Sequence, residues 1–89
     1  MGKPWKLYIL RCRDDTLYTG ITVDVEARFA RHSSGCGAKY TRGRRPLELV
    51  YLEDCESHSH ALKRECEIKA LPRSEKLELI KAFADNKKK

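Results

Sequence analysis

No pair among the four cysteines, at positions 12, 36, 55 and 66, has Cys-x-x-Cys spacing. That removes the usual zinc-knuckle and thiol-redox motifs. Cys12, Cys55 and Cys66 lie in apolar-patterned segments and are expected to pack as small core residues. The chain also lacks an apolar run of membrane-spanning length, and Met1–Trp5 is too short and too polar for a secretory leader. The expectation is a reduced, cytoplasmic protein with no membrane partner. There are no internal repeats and no linker, so the 89 residues read as one domain with a core over about 5–84 and a basic tail at 85–89. Acidic residues are missing from one stretch in particular. Residues 35–46, GCGAKYTRGRRP, carry Lys39, Arg42, Arg44 and Arg45 with no counter-charge. Within a net charge of +6, this local cluster is a sharper sign of a polyanion partner than the total.

What is present begins with two short apolar-aromatic runs, Leu7–Leu10 and Leu17–Ile21, separated by Asp14-Asp15. They predict an antiparallel β-hairpin. Strand alternation puts Tyr8, Leu10 and Cys12 on one face of the first strand, with Leu7, Ile9 and Arg11 on the other. Two largely apolar faces predict a central strand. In the second strand Tyr18, Gly20 and Thr22 share a face. Glycine in a strand marks a bulge or a close approach to the backbone.

A helix is expected from about Asp24, with Thr22 or Asp24 as N-cap and Glu26 in the first turn. Val25 and Phe29 form its apolar stripe, flanked by Arg28 and His32. Leu47–Asp54 predicts a third strand, in which Leu47, Leu49 and Tyr51 alternate with Glu48, Val50 and Leu52. A second helix, capped by Ser57 or Ser59, has an apolar arc of Ala61, Leu62, Cys66 and Ile68, with Glu65 inside it. Pro72 breaks that helix and Ser74 starts a third, with Leu77, Ile80 and Ala84 on one face, widened by Leu79 and Phe83. The order β-β-α-β-α-α predicts an α+β fold, a small three-stranded sheet flanked by helices. The pattern leaves open which of the first two strands the third one joins.

Tyr8, Tyr18, Arg28 and Glu65 are the residues with chemistry to offer. An inward carboxylate is costly unless paired or metal-bound. One carboxylate suffices for Mg²⁺, which keeps several waters. Arginine presents a planar fork matched to phosphate oxygens. A tyrosine serves as general base only if its pKa falls well below ~10, which a nearby cation assists. Together these are parts for phosphodiester hydrolysis, with the basic loop holding the polyanion. Plainer readings stand beside each. The tyrosines could be ordinary strand residues, Arg28 a surface residue and His32 a half-buried core residue. Glu65 could pair with Lys69 at i, i+4. His58 and His60, two apart, fall on different helix faces and make a poor metal pair.

The same residues resemble the GIY-YIG endonuclease domain, and in particular its small stand-alone bacterial branch. Lys6-Leu7-Tyr8 corresponds to the first family motif and Tyr18-Thr19-Gly20 to the second. Arg28 follows Tyr18 by ten residues, at the offset of the family's helix arginine, and His32 matches a histidine seen in many members. Ala61-Leu62-Lys63-Arg64-Glu65 matches the family's Ala-Leu-x-x-Glu pattern. Lys6 stands where the family often has glycine, and Thr19 where isoleucine or valine is usual. The resemblance implies one Mg²⁺ or Mn²⁺ ion held by Glu65. It implies Tyr8 as activator of water with Tyr18 assisting, Arg28 stabilising the phosphate, and His32 in the catalytic group. It implies a nuclease acting on DNA ahead of RNA, in repair or recombination, with a protein partner one possible source of specificity. A catalytically weak nucleic-acid-binding module and a protein-interaction domain of the same fold are the alternatives.

Overall fold

The computed structural model describes residues 4–34, 43 and 45–87. Cys36, Lys39, Arg42 and Arg44 lie outside the described residues, as does the end of the lysine run. The element order is β1 (Trp5–Arg11), β2 (Leu17–Thr22), α1 (Val25–Ser33), β3 (Glu48–Cys55), α2 (His58–Lys69) and α3 (Arg73–Lys87). This is the expected α+β arrangement. The sheet order is β2-β1-β3, so β1 is central and β3 joins it, antiparallel on both sides.

The hairpin closes through Asp14 and Asp15. Asp14 Oδ1 accepts from the Thr16 backbone N–H and from the Thr16 hydroxyl. Asp15 takes the left-handed conformation, φ 67°, which aspartate tolerates better than most side chains. Arg73 at the start of α3 donates to both the backbone and the carboxylate of Asp15, tying the turn to the last helix. Asp24 caps α1 by accepting from the Ala27 N–H at 3.0 Å. Ser57 caps α2 in the same way through His60.

The two faces of β1 meet different layers. Leu7 and Ile9 are fully buried against Ala61 and Ile68 of α2 and Ile80 of α3, and this cluster is the core. Tyr8 and Leu10 are buried on the opposite face, where α1 supplies the buried His32. At roughly 1.5–3 kcal/mol for each fully buried aliphatic side chain, Leu7, Ile9 and Ile68 dominate the core.

Several expectations are corrected. In β3 the register shifts opposite Ile9 and Leu10, so that Ile9 faces Tyr51 while Leu10 faces Leu49. Leu49 and Tyr51 therefore sit on opposite faces, because Val50 is the extra residue of a bulge. Val50 then joins the core beside Leu7 and Ile9. Cys12 and Cys55 are buried, but Cys66 is exposed. Leu62 is 43% exposed for the same reason: α2 contacts the sheet along a line through Ala61 and Ile68. On the helical wheel Leu62 and Cys66 lie about 100–140° from Ala61. In α3 the buried line runs through Leu79, Ile80 and Phe83, with Phe83 against Tyr51 at 5.7 Å between ring centres. Leu77 and Ala84 are exposed.

Candidate active site

Strand pairing places the two tyrosines. Tyr8 pairs with Gly20, and Leu10 with Tyr18, so both tyrosines rise from the same face on adjacent strands. Their ring centres are 6.3 Å apart. Gly20 is what lets Tyr8 lie where it does. A Cβ at position 20 would stand 2.6 Å from Tyr8 Cζ and 3.1 Å from Cε1, and would overlap the hydroxyl. The ring thus lies across the backbone of β2, a close approach open only to glycine.

Helix α1 closes the site from above. His32 is 1% exposed, and its Nε2 lies 3.2 Å from the Tyr8 hydroxyl. Its ring also contacts Tyr18, with centres 5.2 Å apart. Arg28, one turn earlier on the same face, is exposed, and its positive charge acts on both Tyr8 and His32. The single described member of the basic cluster with a charged side chain, Arg45, donates to the Ser33 carbonyl at 3.3 Å. That puts it at the C-terminal end of α1, next to His32. Where Lys39, Arg42 and Arg44 lie relative to the site is outside the described residues.

Glu65 comes from α2. Its side chain is 20% exposed, and Lys69 Nζ lies 3.4 Å from its Oε2. The i, i+4 pair is therefore present. It does not take Glu65 away from the tyrosines, because the Glu65 charge still acts on Tyr8. Tyr8, Tyr18, Arg28, His32 and Glu65 form one electrostatically coupled group.

The electrostatics of the group sharpen its chemistry. Burial first, then Tyr18, then Glu65 push the Tyr8 hydroxyl well above its ordinary range, against the pull of Arg28. Tyr8 is a neutral phenol at physiological pH. Burial first, then Arg28 and Arg31, hold His32 below its usual 6.5, so this imidazole is also neutral. The pair is a neutral phenol within hydrogen-bond distance of a neutral imidazole. Since the folded protein resists protonating His32 and the unfolded chain does not, stability is fullest above about pH 6.5 and falls as the pH drops below it. Replacing His32 by glutamine should remove that slope below about pH 6.5, which melts recorded at several pH values would read. A slope unchanged in the variant would assign it to another group.

Whether Glu65 suits a metal ion turns on its donors. Among the described residues nothing bonds its Oε1, and no three His, Cys, Asp or Glu side chains cluster into a cage. Zinc or calcium sites need more protein ligands than this. A hard ion that keeps its waters and takes further oxygens from a phosphate fits one carboxylate.

One arrangement has no counterpart in the sequence reading. Glu53 of β3 accepts from Arg64 Nε at 2.6 Å and Nη2 at 2.8 Å, while the Tyr51 hydroxyl donates to Glu53 Oε1 at 2.7 Å. Arg64 Nη1 reaches Glu67 at 3.2 Å. The Arg64 bonds hold the Glu53 carboxyl below its usual value despite partial burial. The signal available was alternation: Glu53 has the parity of Tyr51, and in the structure both point to the core face, Glu53 opposite Leu7 and Tyr51 opposite Ile9.

Comparison with known proteins gives this fold its class, a nuclease-type catalytic domain. The GIY-YIG catalytic domain model matches residues 4–78. The chain belongs to the GIY-YIG family. Within it, a UPF0213 protein of Syntrophus aciditrophicus is 58% identical over 76 residues, covering 84% of this chain and 87% of the relative. A UPF0213 protein of Staphylococcus haemolyticus is 54% identical, covering 83% and 90%. The solution structure of a UPF0213 protein from Bacillus halodurans, 44% identical, superposes with a TM-score of 0.58 over 89% of this chain and 84% of that one. A solution structure from E. faecalis, 38% identical, gives a TM-score of 0.63 over 92% and 88%. No helix among the described residues is long and apolar enough to cross a membrane.

Proposed function

We propose that this protein is a divalent-metal-dependent endonuclease that hydrolyses DNA phosphodiester bonds, in repair or recombination. The observation that carries the reading is the hydrogen-bonded Tyr8–His32 pair within reach of the charges of Arg28 and Glu65. A buried phenol that resists ionisation is a poor base alone. Beside a neutral imidazole it can relay a proton. As an attacking water loses a proton to the Tyr8 oxygen, the Tyr8 proton passes to His32 Nε2, and the hydroxide adds to phosphorus. Burial of His32 and the nearby arginines disfavour its cation, so the proton returns through Tyr8 to solvent water, and the leaving oxygen takes a proton from water once its bond to phosphorus has broken. Arg28 faces the charge that grows on the phosphate, and a planar guanidinium fits those oxygens. Tyr18, in ring contact with both members of the pair, fixes their orientation. Glu65 would hold one Mg²⁺ or Mn²⁺ ion, whose chemistry is to neutralise charge on the phosphate and the leaving oxygen. Arg45, Lys39, Arg42 and Arg44 are assigned to backbone phosphates.

The test is nicking of supercoiled and branched DNA by repurified protein, with Mg²⁺ or Mn²⁺ against EDTA. Metal-dependent nicking is the expected result. The raised pKa of Tyr8 and the Lys69 pair on Glu65 favour a second reading, a binding module of the same fold with little catalysis. Salt-sensitive DNA binding without nicking in either metal would select it.

A further inference from the structure

Helix α2 meets the sheet along the line of Ala61 and Ile68, both fully buried. Arg64 and Glu65 lie on either side of that line, since consecutive helical residues are about 100° apart. Arg64 is held on the β3 side by two bonds to Glu53. Glu65 lies on the opposite flank of that line, on the side of β2, which α2 also packs against. Ala61 presents only a methyl group to the sheet, and beside the apolar line and the Trp5–His58 stack it is Arg64 that gives α2 a directional side-chain tie to the sheet. A bidentate guanidinium–carboxylate pair has a fixed plane and a narrow range of angles. The acceptor is itself fixed, because the Tyr51 hydroxyl bonds Glu53 and the Tyr51 ring packs on Phe83.

We infer that Glu53 and Arg64 are positioning residues that set the rotation of α2 and thereby the direction of Glu65. The inference rests on the metal-binding role of Glu65 proposed above. Its mechanical half, the aim of the helix, stands without any ion. The roll of α2 is set from the far edge of the sheet, and the carboxylate it aims lies near the opposite strand. Lys69 then takes a lesser part. It neutralises Glu65 through a pair that is 56% exposed on the lysine side and does not direct it.

The experiment uses the full chain and Arg64→Lys, which keeps the charge and loses the fork. Two readouts separate the two halves. Without metal, the amide signals of Tyr18 and Gly20 and the ring signals of Tyr18 report whether Glu65 has moved. Both lie on β2, the strand farthest from Glu53. With Mn²⁺ as the probe, line broadening gives the affinity at Glu65, with Glu65→Gln as the blank. Arg64→Lys is expected to shift the β2 signals and to weaken Mn²⁺ binding at least tenfold while keeping a cooperative melt. Glu53→Gln should do the same. Unchanged β2 signals together with unchanged Mn²⁺ affinity would overturn the inference. If the wild type shows no Mn²⁺ broadening that Glu65→Gln removes, the metal-binding reading fails, and the β2 signals alone decide the positioning. Should Arg64→Lys unfold, Glu53→Met with Arg64→Leu leaves no unpaired charge under the helix. In that variant a shifted β2 spectrum supports the inference and an unshifted one overturns it.

Discussion

Glu65→Gln should abolish metal-dependent nicking, lowering the rate by at least about 10³-fold, while leaving the fold intact. An ion's stabilisation of charge on a phosphate is worth several kcal/mol, which converts to that factor. Glutamine keeps the shape of the side chain but offers a neutral oxygen to the ion. The cost to folding is small, because the Lys69 pair is an i, i+4 contact with a largely exposed lysine. Arg28→Ala should lower the rate about 10²–10³-fold, the usual effect of removing one preorganised donor to a developing anion. Arg28→Lys should recover part of it, since the charge returns without the fork. Single-turnover nicking at saturating Mn²⁺ measures all three. Full activity in Glu65→Gln would sink the metal role assigned to that residue.

Gly20→Ala should show a different pattern, a loss of both stability and activity. The new Cβ would meet Tyr8 at its ring tip, 2.6 Å from Cζ. A ring tip can usually swing aside. Tyr8 is 3% exposed and its hydroxyl is bonded to His32, so moving it breaks that bond and disturbs α1. Overpacking of this kind costs about 1–3 kcal/mol, a fall in Tm of about 5–20 °C for a domain of this size. The cleft should lose the Tyr8–His32 alignment even where the variant remains folded. A thermal melt and the nicking assay together are the check. A variant with wild-type Tm and activity would mean that Tyr8 need not lie across β2.

Much of this site is legible in the chain because its residues obey simple periods. Alternation puts Tyr18 with Gly20 on one face of the second strand and Tyr8 with Leu10 on one face of the first, and the register of β1 against β2 makes these the same face of the sheet. The helical wheel alone places Glu65 within the apolar arc of α2, and its 20% exposure agrees. Where reading failed, the physics was not local. Every residue of the third strand suits a strand, so nothing marks Val50 as the extra one. The bulge exists because two strands must satisfy one core. Leu62, Cys66 and Leu77 were expected inward because an apolar arc is wider than the line a helix buries. Glycine at position 20 signalled a close approach, but only the structure names Tyr8 as the ring that fills it. The Glu53–Arg64 pair joins residues eleven apart, each ordinary on a surface, and neither carries a mark of its partner.

The central strand also makes the site a test of its own assembly. Lys6, Tyr8 and Leu10 look one way, Leu7 and Ile9 the other, along a single run of seven residues. Slipping β1 by one position would turn Lys6, now paired with Asp54, toward the core and carry Leu7 and Ile9 into the cleft. The same register that buries the aliphatic side chains is the one that brings a phenol to an imidazole. A molecule of this chain with a closed core is therefore one with its cleft in order, and no separate step of proofreading is needed to make it so.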